Sequence, residues 1–210
     1  MHMNTFSAGT SLRAGWEIFK KRPGYFAGAA AIILVATWIA SAVSTSIGGD
    51  SFVGMILNIL LSAFVGMGAI AFGLKAFEDA EKADIHDLWH PKPYLEYVLS
   101  SIIVQIAVVV GLILLIVPGV ILALMFSMTS FLIVSRDMKA IDAIKESMRI
   151  TEGNRLELFL LMIALLGINI LGAICLVVGL LVSVPVSLFA LISAFRALEQ
   201  KASAVVAPTA

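Results

Sequence analysis

The sequence predicts an all-α membrane protein with six transmembrane helices arranged as three hairpins, and with short amphipathic helices at the cytoplasmic interface. Of its 210 residues, 60% are hydrophobic and only 13% are charged, whereas soluble domains are about a quarter charged. The charges are also segregated, because four long stretches contain no Asp, Glu, Lys or Arg: residues 23–49, 51–74, 98–135 and 158–195. The whole chain, residues 1–210, is therefore predicted to form a single polytopic membrane domain.

The lengths of the uncharged stretches predict the number of spans. A transmembrane helix needs about 20 apolar residues, whereas each of the two longest stretches would form a helix of about 57 Å, roughly twice the hydrocarbon thickness. We expect these stretches to fold back at Pro118-Gly119, where proline removes a helical donor and glycine permits a reversal, and at Gly179. The predicted spans are Gly24–Ile47, Phe52–Leu74, Val98–Val117, Gly119–Val134, Leu156–Val178 and Leu180–Phe195.

The distribution of cationic residues predicts the topology. All 14 Lys and Arg residues fall in four segments, residues 13–22, 75–92, 136–155 and 196–201. Six spans put the four segments on the same side of the membrane, whereas an odd number of spans would divide them between both sides. The positive-inside rule then predicts that both termini lie in the cytoplasm.

Amphipathic segments precede the predicted span pairs. Apolar residues recur at helical spacing before the first and third pairs, at Leu12, Trp16 and Phe19 and at Ile141, Ile144 and Met148. We expect these segments to form helices in the cytoplasmic interface. Asn154 and Glu157 have the spacing of a capping pair at the start of the fifth span.

Polar side chains inside the predicted spans are few, and the amides are Asn58, Gln105 and Asn169. An amide in hydrocarbon needs a hydrogen-bonding partner, so these residues are expected to join helices. The alternative is that they line a polar substrate path. No ionisable residue lies in the middle of a predicted span, which disfavours a proton-coupled transporter because proton relays need such groups.

The sequence contains no convincing catalytic, cofactor or metal site. His86 and His90 are four residues apart, with Asp84 and Asp87 nearby, and this spacing could place two imidazoles on one helix face. Pro91 follows at once, so a hydrated loop is the favoured interpretation. No nucleophile–base set, phosphate-binding loop or cysteine pair is present, and zero net charge provides no electrostatic basis for nucleic-acid binding. The chain is predicted not to be an enzyme and to need no cofactor.

Two motifs in the second half of the chain carry a family resemblance. The sequence Leu115-Ile116-Val117-Pro118-Gly119-Val120 is followed by Ala143-Ile144-Lys145-Glu146-Ser147 and by Thr151-Glu152-Gly153-Asn154. This succession resembles a family of uncharacterised bacterial integral membrane proteins related to the membrane domain of some glycerophosphoryl diester phosphodiesterases. The resemblance covers residues 98–198 and implies a membrane location and a helical-hairpin fold. It brings no activity, because the phosphodiesterase catalytic module is not in this chain.

The interfacial motif of Ser147, Thr151, Gly153 and Asn154 allows two interpretations. These residue types are typical of helix ends and helix packing, which is the favoured interpretation. The alternative is that they bind a cytoplasmic partner or a lipid head group.

Two functional hypotheses follow for a protein of the bacterial plasma (inner) membrane. The first is a non-enzymatic scaffold, anchor or envelope-associated subunit that contacts membrane lipids and either a protein partner or a second copy of itself. The alternative is a transporter or lipid-handling protein with a neutral intramembrane cleft near Asn58, Gln105 and Asn169. A membrane-embedded enzyme, a third class, needs converging polar groups that the sequence does not indicate.

Overall fold

The computed structural model of the chain describes residues 6–48, 51–89, 93–175 and 178–206. Within these ranges all regular secondary structure is helical. In chain order the described helices are α1 (Ala8–Lys21), α2 (Pro23–Gly48), α3 (Phe52–Glu78), a 3₁₀ helix (Ile85–Leu88), α4 (Tyr94–Leu114), α5 (Ile116–Phe126), α6 (Thr129–Arg136), α7 (Ala140–Thr151), α8 (Arg155–Ile174) and α9 (Leu180–Val206).

Six helical segments are long and apolar enough to cross a membrane, which confirms the predicted class of a helical, multi-pass membrane protein. They are Pro23–Gly48, Phe52–Glu78, Tyr94–Leu114, Ile116–Arg136, Arg155–Ile174 and Leu180–Ala204. Helices α3 and α9 continue past their predicted ends at Leu74 and Phe195 into charged sequence. The predicted ends were set where charge resumes, but Lys, Glu and Arg are good helix formers and prolong both helices.

The first of the two predicted reversal points lies elsewhere in the structure. Helix α4 ends at Leu114, α5 begins at Ile116, and Leu115 between them is extended at φ −161° and ψ 142°. The turn is therefore at Leu115 rather than at Pro118-Gly119. Pro118 is the third residue of α5, where its missing N–H costs nothing because the first helical N–H groups have no intrahelical partner.

Gly119 serves close packing instead of chain reversal. A Cβ atom on Gly119 would lie 2.6 Å from the backbone nitrogen of Leu112, and one on Gly111 would lie 3.0 Å from the Gly119 Cα. The α8–α9 connection has the same feature, since a Cβ on Gly179 would lie 2.6 Å from the Gly172 Cα. In both places glycine lets two consecutive helices approach within backbone contact.

Helix α9 is central to the packing and contacts α1, α2, α3, α7 and α8. Its fully buried residues are Phe189, Ala190, Ile192, Ala194, Phe195 and Leu198. The Phe189 ring lies 4.9 Å from that of Phe26 on α2, and the Phe195 ring lies 5.7 Å from that of Phe131 on α6. Aromatic pairs at these distances add to the stabilisation from burial alone.

Helix α1 packs on α9 through a glycine. A Cβ atom on Gly15 would lie 2.6 Å from the Val186 carbonyl oxygen and 2.8 Å from the Ala190 nitrogen. Both are backbone atoms of α9 and cannot swing aside like a flexible side chain. Contact between α1 and α9 therefore requires glycine at this position.

Polar contacts join the four cationic segments at one end of the bundle. Arg22 donates to the Ala80 carbonyl at 3.1 Å, which connects the first segment to the second. Arg196 pairs with Glu78 at 2.5 Å, which connects the second to the fourth. The third and fourth are connected by the Arg136–Glu199 pair at 2.7 Å and by a hydrogen bond from Lys201 to Asn154 at 2.8 Å.

The Gly15 contact predicts that a glycine-to-alanine substitution changes stability differently at two positions. Gly15→Ala is expected to lower the free energy of unfolding by about 1–3 kcal/mol, as overpacking typically does. Gly28→Ala, in α2 where nothing lies within 4 Å of the added Cβ, is expected to leave stability unchanged or to raise it by up to about 1 kcal/mol, because alanine favours helix over glycine. Thermal unfolding of both variants in one detergent measures this; equal shifts would contradict the α1–α9 contact.

Candidate functional site

The three intramembrane amides lie on three different helices, and among the described residues no hydrogen bond joins any two of them. Asn169 on α8 donates to the Ser187 hydroxyl of α9 at 2.9 Å and accepts from the Ser183 hydroxyl at the same distance. It therefore connects two spans. The Asn58 side-chain oxygen accepts a long hydrogen bond of 3.5 Å from the Ser62 hydroxyl of its own helix.

Gln105 borders a small polar cavity between α4 and the start of α6. Its amide makes no hydrogen bond within the described part of the chain, and the residue is exposed. The cavity has a volume of about 160 Å³ and is lined by Ser100, Ser101, Val104, Gln105, Phe126, Thr129 and Ser130. The Thr129 hydroxyl is buried without any hydrogen-bonding partner, although a buried hydroxyl normally has one. No sequence signal distinguishes Thr129, because a single hydroxyl in an apolar run looks like any other until its neighbours in the fold are known.

The cavity lies beside a break in the fourth span. Helix α5 ends at Phe126 and α6 begins at Thr129. Ser147 of α7 closes this break, since its hydroxyl donates to the Met125 carbonyl at 2.7 Å and accepts from the Met128 N–H at 3.2 Å. In hydrocarbon an interrupted helix persists only where other groups satisfy its backbone. Ser147 thus stabilises the break.

Thr151 extends this contact one turn further along α7. Its hydroxyl lies 3.5 Å from the Met125 carbonyl and 2.8 Å from the Ser147 carbonyl of its own helix. Both side chains are fully buried. Helix α7 thus buries its small residues, while Ile141 of the predicted apolar stripe is 57% exposed. Ile144 and Met148 of the same stripe are half-buried. The stripe therefore lies at the edge of the packed face, whose centre is occupied by the small side chains that contact the Met125 and Met128 backbone.

Gly153 and Asn154 form the turn between α7 and α8. Gly153 adopts φ +73°, a left-handed conformation that glycine enters without steric cost. The predicted capping pair is not formed, because the Asn154 side chain makes no capping hydrogen bond. Asn154 instead accepts from Lys201, and Glu157 accepts from the backbone N–H of Ala8 at 2.9 Å. Both side chains are used for contacts with distant helices, which the local spacing does not reveal.

A buried carboxylate organises the charged end. Glu199 is 8% exposed and contacts Arg136 at 2.7 Å and Arg196 at 3.5 Å. Removing one partner of such a buried group is costly, because an unpaired charge remains. A sequence signal for Glu199 does exist, since it lies at helical spacing from the apolar residues Ile192 and Phe195.

Helix α7 supplies a second ion pair to this end. Arg149 donates twice to Glu146, at 2.6 and 2.8 Å. This hydrogen bonding holds the pKa of the Glu146 carboxyl below its ordinary value and raises the pKa of the Arg149 guanidinium. Both groups therefore remain charged around neutral pH.

A larger groove opens on the side of the bundle between α1 and the α8–α9 pair. Its volume is about 440 Å³. It is almost wholly apolar and is lined by Leu12, Trp16, Ile168, Leu171, Gly172, Cys175, Gly179, Val182, Ser183 and Val186. The Ser183 hydroxyl donates to Asn169, so the groove presents no unpaired polar group from that residue.

The predicted loop around His86 is a capped 3₁₀ helix. The Asp84 carboxylate accepts from the His86 N–H at 3.1 Å, and Asp87 pairs with Lys75 at 2.5 Å. His90 lies outside the described residues. Among the residues that are described, no three or more His, Cys, Asp or Glu side chains come together as a metal site.

The six apolar helices, with their charged ends tied together, define a multi-pass α-helical membrane protein. The chain belongs to the family described as Domain of unknown function (DUF7847), whose model matches residues 64–208, more than two-thirds of the chain. The match begins within α3 and includes the polar cavity, the break in the fourth span and the second, third and fourth cationic segments. No curated protein and no solved structure matches the chain.

The two hydrogen bonds of Ser147 generate a stability prediction. Ser147→Ala is expected to lower the free energy of unfolding by about 2 kcal/mol, because it leaves a buried carbonyl and a buried N–H without this partner. The matched control is Ser46→Ala in α2, whose exposed hydroxyl bonds only to the Ala42 carbonyl of its own helix. Denaturant unfolding in mixed micelles gives both values. If the two variants lose the same stability, Ser147 does not close the break.

Proposed function

We propose that this protein is a non-enzymatic membrane scaffold, anchor or envelope-associated subunit. The observation that supports this role best is the filled centre of the bundle. Phe26, Phe189 and Phe195 are fully buried there, and the Arg136–Glu199 pair lies across the charged end. A bundle with a filled centre has no central path for a solute, whereas its outer surface can serve for docking.

We further propose that the spans form three hairpins in the plasma membrane of a bacterium. The contacts between α2 and α3, between α4 and α5 and between α8 and α9 support this arrangement. The joined cationic segments support a common aqueous side, which the positive-inside rule assigns to the cytoplasm together with both termini.

Helices α1 and α7 are proposed to lie in the cytoplasmic interface. Each connects charged sequence to a span, and each has a buried and an exposed face. Trp16 on α1 is 46% exposed, and tryptophan favours the head-group level of a membrane.

We also propose kinship with the membrane domain of glycerophosphoryl diester phosphodiesterases, based on the motifs around Pro118 and Ser147.

The scaffold role requires a protein neighbour, either another protein or a second copy. A photo-crosslinking residue at the lipid-facing positions Trp38 or Val110, which are 72% and 49% exposed, is expected to give one discrete adduct from one face in native membranes. The buried position Leu161 serves as the control and should give none. A solitary monomer after gentle extraction, with solute flux in reconstituted vesicles, would refute the role.

A lipid-handling protein or transporter is the second candidate, and the lateral groove of about 440 Å³ favours it. An apolar groove open to the membrane accommodates an acyl chain. Filling it by Leu171→Trp, at a lining position that is 64% exposed, is expected to abolish lipid transfer between vesicles if this candidate holds. Unchanged transfer in the variant, or transfer no faster than in protein-free vesicles, would exclude the groove as a path.

A further inference from the structure

The polar cavity between α4 and α6 is lined by a residue whose buried hydroxyl has no partner within the described part of the chain. Thr129 is 2% exposed, and its hydroxyl has no partner. The Gln105 amide, on the same cavity, makes no hydrogen bond within the described residues. A buried hydroxyl without a hydrogen bond costs about 1–3 kcal/mol, so the Thr129 hydroxyl is best explained by an occupant of this cavity that bonds to it. The exposed Gln105 amide provides a second polar contact for the same occupant.

The position of the cavity indicates where the occupant comes from. Thr129 is seven residues before Arg136 at the charged end of α6, about 10 Å along a helix. Gln105 is nine residues after Glu96, about 14 Å along α4. The cavity therefore lies within the hydrocarbon layer, and Gln105 is flanked by the exposed residues Ile102 and Ile106. Access is from the lipid side.

The lining indicates the chemistry of the occupant. No ionisable side chain lines the cavity, so the bound group is uncharged. The Thr129 hydroxyl and the Gln105 NH₂ group offer donors, while the Gln105 carbonyl and the hydroxyl oxygens of Ser100 and Ser101 offer acceptors. A hydroxyl group both donates and accepts, which matches this mixed lining.

We propose that this cavity binds the uncharged, hydroxyl-bearing head of a membrane lipid such as a diacylglycerol, with Thr129 and Gln105 as its hydrogen-bonding residues. The site goes beyond the scaffold role, since a scaffold keeps its docking surfaces whether or not this lipid is bound. It also concerns retention of a lipid and not its movement, so it does not depend on the lateral groove.

Photolabelling of the full-length protein in nanodiscs with a diacylglycerol that carries a diazirine on its acyl chain tests the site. Label on the wild-type protein is expected to concentrate on α4 and α6. Thr129→Val and Gln105→Leu should each reduce it about fivefold, the effect of losing one hydrogen bond. Thr37→Val, which removes a hydroxyl bonded to the Ile33 carbonyl of its own helix at 2.8 Å, should leave it unchanged.

A second measurement separates loss of the site from loss of the fold. Without lipid, Thr129→Val should unfold at the same or a higher temperature than the wild type, because it removes an unpaired buried hydroxyl. Adding dioleoylglycerol should raise the unfolding temperature of the wild type and not of the variant. Label spread evenly over all exposed helices, equal competition by dioleoylphosphatidylglycerol, or no lipid-dependent shift, as for a cavity holding only water, would overturn the proposal.

Discussion

The close packing of α9 is the constraint on which the rest of the structure depends. This helix has the largest buried share of the six candidate spans, and Gly15 brings α1 within backbone contact of it. Between apolar helices in a membrane, association rests on van der Waals fit and interhelical hydrogen bonds and not on a hydrophobic driving force. The small residues and aromatic pairs along α9 provide the fit. The hydrogen bonds of Asn169 to Ser183 and Ser187 fix α8 beside it.

The class of protein and the gathering of charge could be predicted from the sequence because both follow from transfer free energies. A long uncharged stretch such as residues 158–195 is stable only in a membrane or in a large hydrophobic core. Cations confined to four segments require an even number of spans if they are to share one side. Neither inference depends on which residue contacts which, so neither needs the tertiary structure.

The details of the candidate site depend on contacts between distant residues, and the sequence did not reveal them. The turn at Leu115 leaves Pro118 in the first turn of α5, where proline is tolerated and so does not mark the reversal. Serine is a residue type typical of helix packing, so the sequence predicts that role for Ser147. Its role at the α5–α6 break depends on Met125 and Met128, about twenty residues earlier. Thr129 differs from most hydroxyl residues of the apolar runs only in the tertiary structure, where its buried hydroxyl has no partner among the described residues.

Cysteine labelling of sealed vesicles tests the central claim, the gathering of the four charged segments around α9 on one aqueous face. In a Cys175→Ser background, single cysteines replace Lys20, Lys82, Lys145 and Lys201, each of which is exposed, with Ser51→Cys as the opposite-side control. All four should react with a membrane-impermeant maleimide from the same side, and position 51 only from the other. One of the four reacting from the side of position 51 would contradict the account.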